Sequence, residues 1–347
     1  MDASHRVHEV LTSVKIDIEF DAATDNAAVR DHSNFGIVEV TGRDRLDLLH
    51  RLSTNDLLAA KPGQAVASVF TTDKGRIVDY VRVLVRDSSL IILTSPGNEE
   101  AFVQWIEKFC IMEDIIVTSV TYDYGASSVI GPRSHSIISQ VFDVPLRSVG
   151  FTEIAGRFGR LVICTNEEFG TSTVDIIVPR DHMNQFREYL LIETEKEGVI
   201  QMHDETYEAF RISRGIPKFG CELSESYNPY EAALLHAISF TKGCYIGQEV
   251  IARLNTYQKV QRSLIGLILS SVPHRQGQRP IIRHEGNEIG WLTSVSAVPI
   301  HGKTTGLGIV KKDLVIQGTM VSIDDTRSIV TARVSNLPME LRAPAYD

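Results

Sequence analysis

The final third of the chain differs in sequence texture from the rest, and this difference limits the possible folds more than any other feature. From about Val260 onward, short strand-like runs are separated by turn residues such as Gly286-Asn287 and Gly302. Several short strands at such spacing are typical of a small barrel or sandwich. The sequence therefore predicts a C-terminal all-β barrel with strands at 264–269, 289–295, 305–310, 320–323 and 329–334.

The preceding residues alternate between helical and strand patterns. Apolar residues at helical spacing predict three helices, and short apolar or alternating runs predict five strands. The pattern contains no internal repeat and indicates an α+β region. The helix faces are Leu46, Leu49 and Leu52; Phe102, Ile106 and Phe109; and Phe186 and Leu190; the strands are 36–40, 77–85, 90–94, 160–165 and 173–178.

Composition is that of an ordinary globular protein. The 347 residues suggest about two domains, and the apolar and charged fractions of 43% and 23% are globular values. A net charge of -9 argues against a general nucleic-acid surface, so no direct nucleic-acid partner is expected. No apolar run reaches the roughly 18 residues that a membrane span needs, and no secretory signal is visible, so a cytoplasmic location is expected.

Several common kinds of site are excluded by spacing. The cysteines are far apart in sequence, without a C-x-x-C pair, and predict free thiols in a reducing compartment. No cysteine or histidine spacing indicates zinc, no G-x-S-x-G elbow is present, and Gly302-Lys303-Thr304 lacks the upstream glycine of a phosphate loop. No metal site is expected. The four cysteines are Cys110, Cys164, Cys221 and Cys244.

The octapeptide KGCYIGQE, residues 242–249, has the strongest indication of chemistry. It places Cys244 between two glycines and beside Lys242. Glycine lets the backbone take conformations closed to other residues and lets a ligand approach closely. A helix beginning after Cys244, together with Lys242, would favour the thiolate. The alternative is a small buried thiol that fills a turn.

This octapeptide resembles the KGCYxGQE signature of the YgfZ-type folate-binding family, a branch of the glycine cleavage T-protein (aminomethyltransferase) superfamily. The resemblance covers about residues 30 to 340. It extends through FGIVEVTGRDRLDLLHRLSTND (35–56), FTTDKGRIVDY (70–80), RISRGIPKFGCEL (211–223), NPYEAALL (228–235) and KVQRSLIGL (259–267).

The resemblance implies both an architecture and a function. The architecture is three-lobed, with two interleaved α+β domains over residues 1–258 and a β-barrel over 259–347, around a central folate site. The function is support of iron-sulfur cluster assembly or repair in client enzymes, with indirect effects on tRNA modification. The implied cofactor is tetrahydrofolate or a derivative, and the implied partners are iron-sulfur client or assembly proteins. The oligomeric state is left open.

The catalytic position of the superfamily differs in this chain. The segment that matches 70–80 ends in two aspartates in true aminomethyltransferases, and the second is the catalytic acid; here the pair is Asp79-Tyr80. A phenol, with a reference pKa of about 10, supplies no carboxylate at neutral pH. Asp79 faces the opposite side of a strand, where a turn or edge carboxylate is expected.

Four residues besides Tyr80 are expected to contact the folate or support its site. Asp175 matches the acidic residue that binds the pterin, although it also fits a surface acid on a half-buried strand. Tyr207 stands where the superfamily has an arginine and could stack on a ring, and Arg211 could offer charge one helical turn further on. Glu231 either contacts a ligand or favours a helix N-terminus. Tyr80 is the fifth cofactor-site candidate.

Three functions are consistent with these residues. The first is a folate-binding protein that exchanges, reduces or holds a partner's sulfur or cluster through Cys244, assisted by Lys242. The second is a folate-dependent aminomethyltransferase of glycine cleavage, against which Tyr80 argues. The third is a scaffold that binds client proteins without needing the thiol.

Overall fold

The computed structural model describes residues 3–32, 35–256, 260–274, 279–324 and 329–342. Its seven longer helices are α1 Ala3–Asp25, α2 Arg45–Leu52, α3 Glu99–Glu107, α4 Ser134–Phe142, α5 Met183–Glu195, α6 Asp204–Arg214 and α7 Gln248–Thr256. The strands are β1 Ala28–Asp31, β2 Gly36–Thr41, β3 Ala65–Thr71, β4 Ile77–Val85, β5 Leu90–Thr94, β6 Ile116–Ser119, β7 Tyr124–Ile130, β8 Gly150–Gly156, β9 Gly159–Glu168, β10 Thr171–Pro179, β11 Ile200–Gln201, β12 Arg262–Leu269, β13 Ile281–His284, β14 Asn287–Val295, β15 Thr304–Lys311, β16 Met320–Asp324 and β17 Ile329–Ser335.

These strands form two open sheets and one barrel. The first sheet has the order β3-β4-β5-β2-β6, and the second has the order β11-β1-β7-β10-β9-β8. Because β1 precedes the first sheet in the chain and β7 follows it, the two α+β lobes are interleaved. The last six strands close in the order β12-β15-β14-β13-β16-β17. The predicted α+β class, with two interleaved lobes and a C-terminal barrel, is confirmed.

Each lobe has its own apolar core. In the first lobe, α2 buries Leu48, Leu49 and Leu52 against the sheet, and the rings of Phe70 and Phe102 meet edge to face with centroids 4.8 Å apart. Burying a side chain of this size stabilises the fold by about 1.5–3 kcal/mol. Of the predicted face, Leu49 and Leu52 are buried and Leu46 is partly buried, while the buried Leu48 was not predicted.

Several element boundaries differ from the sequence prediction by one to three residues, and several elements were not predicted; two boundaries and one missed strand show the physical reasons. Helix α3 ends at Glu107, and Phe109 lies in a tight turn beyond it, with its amide donating to the carbonyl of Ile106. Strand β9 continues three residues past the predicted end at 165 and includes Glu168, because cross-strand hydrogen bonds carry it beyond its apolar stretch. Strand β13 was not predicted, since half of its four residues are polar.

The predicted domain boundary between residues 258 and 259 lies outside the described residues and stays a prediction. The first barrel strand, β12, begins at Arg262. Among the helices described, none combines the length and apolar character that crossing a bilayer requires.

Candidate functional site

A cavity of about 590 Å³ lies where the three lobes meet. The first lobe contributes Tyr80 and Arg82 from β4, and the second contributes Arg30 from β1. Helix α6 and the segment that follows it close one side, and Ala297 comes from the barrel region. This central cavity is the right size for a small-molecule ligand.

Tyr80 is a neutral hydrogen-bonding group at the cavity wall. Its hydroxyl donates to Oε2 of Glu168 at 2.5 Å and lies 3.0 Å from Nε2 of His236. Since the hydroxyl proton is used on Glu168, the histidine nitrogen is the donor in the second contact. Burial and the Glu168 carboxylate raise the pKa of Tyr80 well above its ordinary value. The phenol therefore stays protonated.

Glu168 supplies a carboxylate beside the catalytic position, but a cation neutralises it. Arg82, two residues after Tyr80 on β4, approaches Oε1 of Glu168 to 2.7 Å. Burial acts to raise the pKa of Glu168, but the Arg82 charge and the Tyr80 hydroxyl lower it below the ordinary value. An ionised carboxylate paired with both Tyr80 and Arg82 is a poor proton acceptor, so Glu168 is not available as a general base.

Asp175 lies in a row of residues across the second sheet. The strand register aligns Arg30 with Ser128, Ser128 with Asp175, and Asp175 with Cys164, so these residues share one face. The Ser128 hydroxyl donates to Asp175 at 2.6 Å, and Arg82 Nη1 is 3.9 Å away. Burial raises the pKa of Asp175, against the Ser128 hydrogen bond and the Arg82 charge. Asp175 is thus buried just behind the cavity wall.

His32 extends this row to the cavity. Its Nδ1 lies 3.1 Å from the Ser128 hydroxyl oxygen, and its ring is part of the cavity lining. Because Ser128 donates to Asp175, Nδ1 of His32 carries the proton and donates to Ser128. Burial and the nearby Arg30 charge keep the pKa of His32 well below its ordinary value, so the imidazole is neutral.

Helix α6 contributes Tyr207 and Arg211 to the cavity lining. The Arg30 guanidinium lies over the Tyr207 ring at 3.6 Å, which is a cation–π contact. Arg211 is buried and already occupied: it pairs with Glu208, donates to Ser294 at 2.9 Å and to the carbonyl of Ile216 at 3.1 Å. Arg211 therefore shapes the wall, and Arg30 is the cation placed on Tyr207.

Asp79 differs from the turn or edge carboxylate that was expected. It is fully buried in β4, an interior strand, and accepts hydrogen bonds from the Ser95 amide and hydroxyl, from Asn98 and from the Tyr80 amide. Burial raises the pKa of Asp79 to about 6 despite these four donors. Its role is to fix the segment that carries Ser95 at the cavity wall.

Cys244 lies outside the cavity lining, on an exposed loop before α7. We call residues 242–247 the thiol loop. It ends at Gly247, whose φ of +81° and closeness to the Thr72 carbonyl, 2.4 Å from an ideal Cβ position, both require glycine. The second glycine of the octapeptide is thus explained by the fold.

Lys242 attaches the thiol loop to the end of α2. Its ammonium group donates to the carbonyl oxygens of His50, of Ser53 at 2.6 Å and of Asn55 at 3.0 Å. Carbonyls at a helix C-terminus lack intrahelical donors and favour a cation. Burial lowers the pKa of Lys242 to about 8, with Asp56 opposing the shift. All three ammonium protons are donated to carbonyls, so Lys242 fixes the position of the loop that carries the thiol.

Replacing this anchor should cost stability. We expect Lys242→Met to lower the free energy of unfolding by roughly 2 to 4 kcal/mol, because buried carbonyls lose their donor. The folded state releases the Lys242 proton near pH 8, whereas the unfolded chain holds it to about 10.5. Between these values the unfolded chain binds more protons, so this residue makes the protein more stable as the pH rises.

Urea unfolding of both proteins at several pH values measures the effect. In the wild type, Lys242 makes the free energy of unfolding rise between about pH 8 and pH 10. The Met variant should lack this contribution to the rise. The exposed Lys61, changed to Met, is the matched control and should behave like the wild type. Equal stability of the Lys242 variant would contradict the anchoring role.

Glu231 lies between lobes and away from the cavity lining. Its carboxylate is buried, approaches Arg262 at the start of β12 to 3.0 Å, and lies 3.6 Å from Arg76 in the turn between β3 and β4. It also accepts from the amide of Asn228 at 3.1 Å. Glu231 follows a turn, and no helix of the α type begins there.

The predicted site residues thus fall into three places. Tyr80, Tyr207 and Arg211 line the cavity, with Asp175 directly behind Arg82. Cys244 and Lys242 belong to the thiol loop, and Glu231 joins the first lobe to the barrel. In the described ranges, no group of three or more His, Cys, Asp or Glu side chains could hold a metal ion.

Comparison with known proteins identifies the family. A family model described as the GCVT N-terminal domain matches residues 9–242, which is more than half of the chain. The chain belongs to the GCVT family. A second model, the glycine cleavage T-protein C-terminal barrel domain, matches residues 262–339 of this GCVT protein.

Individual relatives agree with this assignment. A chloroplastic protein of Arabidopsis thaliana, named as a transferase, is 28% identical over 92% of this chain and 74% of its own length. An aminomethyltransferase of Staphylococcus epidermidis is 24% identical over 91% of this chain and 87% of its own. The crystal structure of the glycine cleavage system aminomethyltransferase T of Bartonella henselae superposes with a TM-score of 0.78, at 18% identity, covering 94% of this chain and 90% of that one. The solved structure supports the GCVT fold.

Sequence reasoning missed several polar residues of this GCVT protein. Arg82 could have been found, because a residue two positions after Tyr80 on a strand shares its face. Glu168 was missed because the predicted strand ended too early. Arg30 in β1, His32 just after it and Ser128 in β7 were missed because the pairing of β1 with β7, and of β7 with β10, is not visible in the sequence.

Proposed function

We propose that this GCVT protein is a YgfZ-type folate-binding protein of the cytoplasm, which supports assembly or repair of iron-sulfur clusters in client enzymes. An effect on tRNA modification would follow indirectly, through such clients. The observation that carries the proposal is the exposed Cys244 on a loop held by Lys242. An exposed thiol is open to a partner protein, and thiolate is a ligand suited to iron and to sulfur exchange.

The cluster role is tested in cells that lack the protein. Activities of iron-sulfur enzymes should fall in such cells, and the wild-type chain should restore them. Activities of enzymes without a cluster should not change. Normal activity of all iron-sulfur enzymes in the absence of the protein would contradict the proposal.

The central cavity fits a reduced folate. Arg30, which lines it, has a buried Nη1 without a hydrogen-bond partner in the described part of the chain. His32, which Ser128 and Asp175 hold through its Nδ1, offers an unprotonated Nε2 as an acceptor, and Tyr207 offers an aromatic ring. A pterin with paired N–H donors and a flat ring system matches this set of groups.

The same residues favour folate binding without aminomethyl transfer. Transfer requires a carboxylate near the folate nitrogen to hold charge and move a proton. Tyr80 remains a neutral phenol, and Glu168 is paired with Arg82. The alternative function, a folate-dependent aminomethyltransferase, draws support from the names of relatives but lacks a carboxylate at the position of Tyr80.

Folate binding should depend on Asp175. We expect Asp175→Ala to weaken tetrahydrofolate binding by roughly ten- to a hundredfold, because the buried carboxylate holds Ser128 and, through it, His32 of the cavity wall, and losing such a buried acceptor costs on the order of 1.5 to 3 kcal/mol. Calorimetric titration of the folded proteins measures this. Asp181→Ala, at an exposed acid just after β10, is the control and should bind like the wild type. Unchanged tetrahydrofolate affinity of the Asp175 variant would show that the pterin does not bind beside this residue.

A further inference from the structure

Arg30 is a buried cation of the central cavity with hydrogen-bond donors to spare. The residue is only 8% exposed, and its ion-pair partner in the described part of the chain, Asp204, has a side chain that is 81% exposed. Water screens such a pair, so the Arg30 charge is weakly compensated. Its Nη1 is buried and has no hydrogen-bond partner among the residues described. A buried donor left unpaired is costly, and an acceptor on a ligand would remove that cost.

The other arginine and lysine side chains of the cavity lining are occupied by carboxylates of the protein. Arg82 pairs with Glu168 at 2.7 Å. Arg211 and Lys218 both pair with Glu208. The cation that is open to a ligand is therefore the guanidinium of β1.

An acceptor lies beside this donor. The amide of His32 donates to the carbonyl of Ala126 at 2.9 Å, so strand pairing continues past the end of β1, and Arg30 and His32 share a face. The Tyr207 ring centroid is 3.6 Å from the guanidinium carbon of Arg30 and 6.3 Å from the centroid of the His32 ring. Because Nδ1 of His32 donates to Ser128, its Nε2 is an unprotonated acceptor.

We propose that Arg30 and His32 together recognise the lactam edge of a bound pterin, and so determine which pterins the cavity accepts. A lactam edge presents a carbonyl oxygen next to an N–H group, as C4=O and N3–H do in tetrahydrofolate. Arg30 donates to the carbonyl oxygen, and Nε2 of His32 accepts from the N–H group. This inference rests on the proposed folate binding and adds the chemical form of the ring that is bound.

Asp175 and Ser128 fix the polarity of this pair. Ser128 donates its hydroxyl proton to Asp175 at 2.6 Å, so towards His32 it accepts. The neutral imidazole therefore holds its proton at Nδ1 and presents a lone pair at Nε2. Arg30 can only donate, since a guanidinium has no acceptor. The order of donor and acceptor along this face is thus set by the protein before a ligand binds.

A 4-amino-4-deoxypterin has the opposite order. An amino group replaces its carbonyl oxygen, and its N3 carries no proton. The amino group would face the Arg30 donor, and the N3 lone pair would face Nε2 of His32. Both protein groups would then stay unpaired, and a site built for hydrogen bonds strongly rejects a ligand that leaves its buried polar groups without partners. The cavity should therefore select 4-oxo-pterins.

The test compares tetrahydrofolate with its 4-amino-4-deoxy analogue by anaerobic calorimetric titration of the full-length protein. The wild type should bind tetrahydrofolate about a hundredfold or more tightly than the analogue. Arg30→Met and His32→Phe each remove one half of the recognition and should reduce this preference to about tenfold or less. The ratio of the two affinities is the readout, because a merely structural role would weaken the binding of both ligands alike.

Arg160→Met is the matched control. Arg160 also lies in a strand of the second sheet and pairs with one carboxylate, Glu153 at 3.1 Å, but its side chain is 71% exposed and outside the cavity lining. This variant should keep the wild-type affinities and preference. Arg30→Lys, which retains a charged donor, should keep part of the preference that Arg30→Met loses. Thermal melting shows which variants fold, and the comparison of the two ligands on the wild type needs no variant.

Equal affinity of the wild type for the two ligands would overturn the lactam recognition and leave folate binding standing. A full preference that survives in the folded Arg30→Met and His32→Phe variants would also overturn it. Absence of tetrahydrofolate binding to the wild type would overturn the folate-binding function itself, and this inference with it. A preference that both variants lose and Arg160→Met keeps would establish the donor–acceptor pair.

Discussion

Cys244→Ser should fail to restore iron-sulfur enzyme activity in cells that lack this protein, whereas the wild-type chain restores it. Serine is nearly isosteric with cysteine, and an exposed substitution of this kind typically changes stability by less than about 0.5 kcal/mol. A hydroxyl, however, does not form an anion near neutral pH and is a poor ligand for iron or sulfur. The loss should therefore be complete while the protein level stays normal.

The matched control is Cys110→Ser, at a half-buried thiol of the first lobe. This variant should restore enzyme activity as the wild type does. Protein levels and thermal melting of both variants show whether the fold is retained. Full rescue by Cys244→Ser would favour the scaffold function, in which clients bind without using the thiol.

The second large effect concerns glycine cleavage. In a reconstituted system where this protein replaces the authentic T-protein, methylenetetrahydrofolate formation should be lower by a factor of about 10² to 10⁴. Tyr80 stands where the resemblance predicts the catalytic aspartate of the superfamily, and burial and Glu168 keep its hydroxyl protonated. Glu168 itself is neutralised by Arg82 at 2.7 Å. At position 80, therefore, no carboxylate is available to move a proton.

Restoring the carboxylate should help little. Tyr80→Asp would place a second negative charge beside Glu168, and two adjacent carboxylates disfavour ionisation of both. The arginine of the superfamily is also absent, since Tyr207 occupies its position. An authentic T-protein in the same assay is the positive control. Robust product formation by the wild-type chain would establish the aminomethyltransferase function instead.

The sequence was most informative where local periodicity and tertiary packing agree. The five predicted barrel strands are present, because alternating apolar residues face the barrel core and turn residues separate them. The sixth barrel strand, β13, was not predicted. It is short and half polar, and it is held by pairing with β14 and β16. Such pairing leaves no local signal.

Polar networks could be predicted less well, for a related reason. Tyr80 was singled out, but its partner Glu168 lies 88 residues away, and Lys242 binds a carbonyl 192 residues away. Asp79 looked like an edge carboxylate because the order of strands, which buries β4 inside its sheet, is not encoded in β4 itself. Spacing indicates which face a side chain occupies, whereas its partners depend on the whole topology.

The meeting of three lobes at one cavity links ligand affinity to lobe association. Glu231 already joins the first lobe to the barrel through Arg76 and Arg262. A ligand that contacts walls from all the lobes adds its binding free energy to this association. By reciprocity, a partner protein that holds the lobes together raises the affinity of the cavity for its ligand, and a partner that separates the lobes lowers that affinity. The affinity of a ligand in this cavity is therefore expected to depend on how the lobes are arranged.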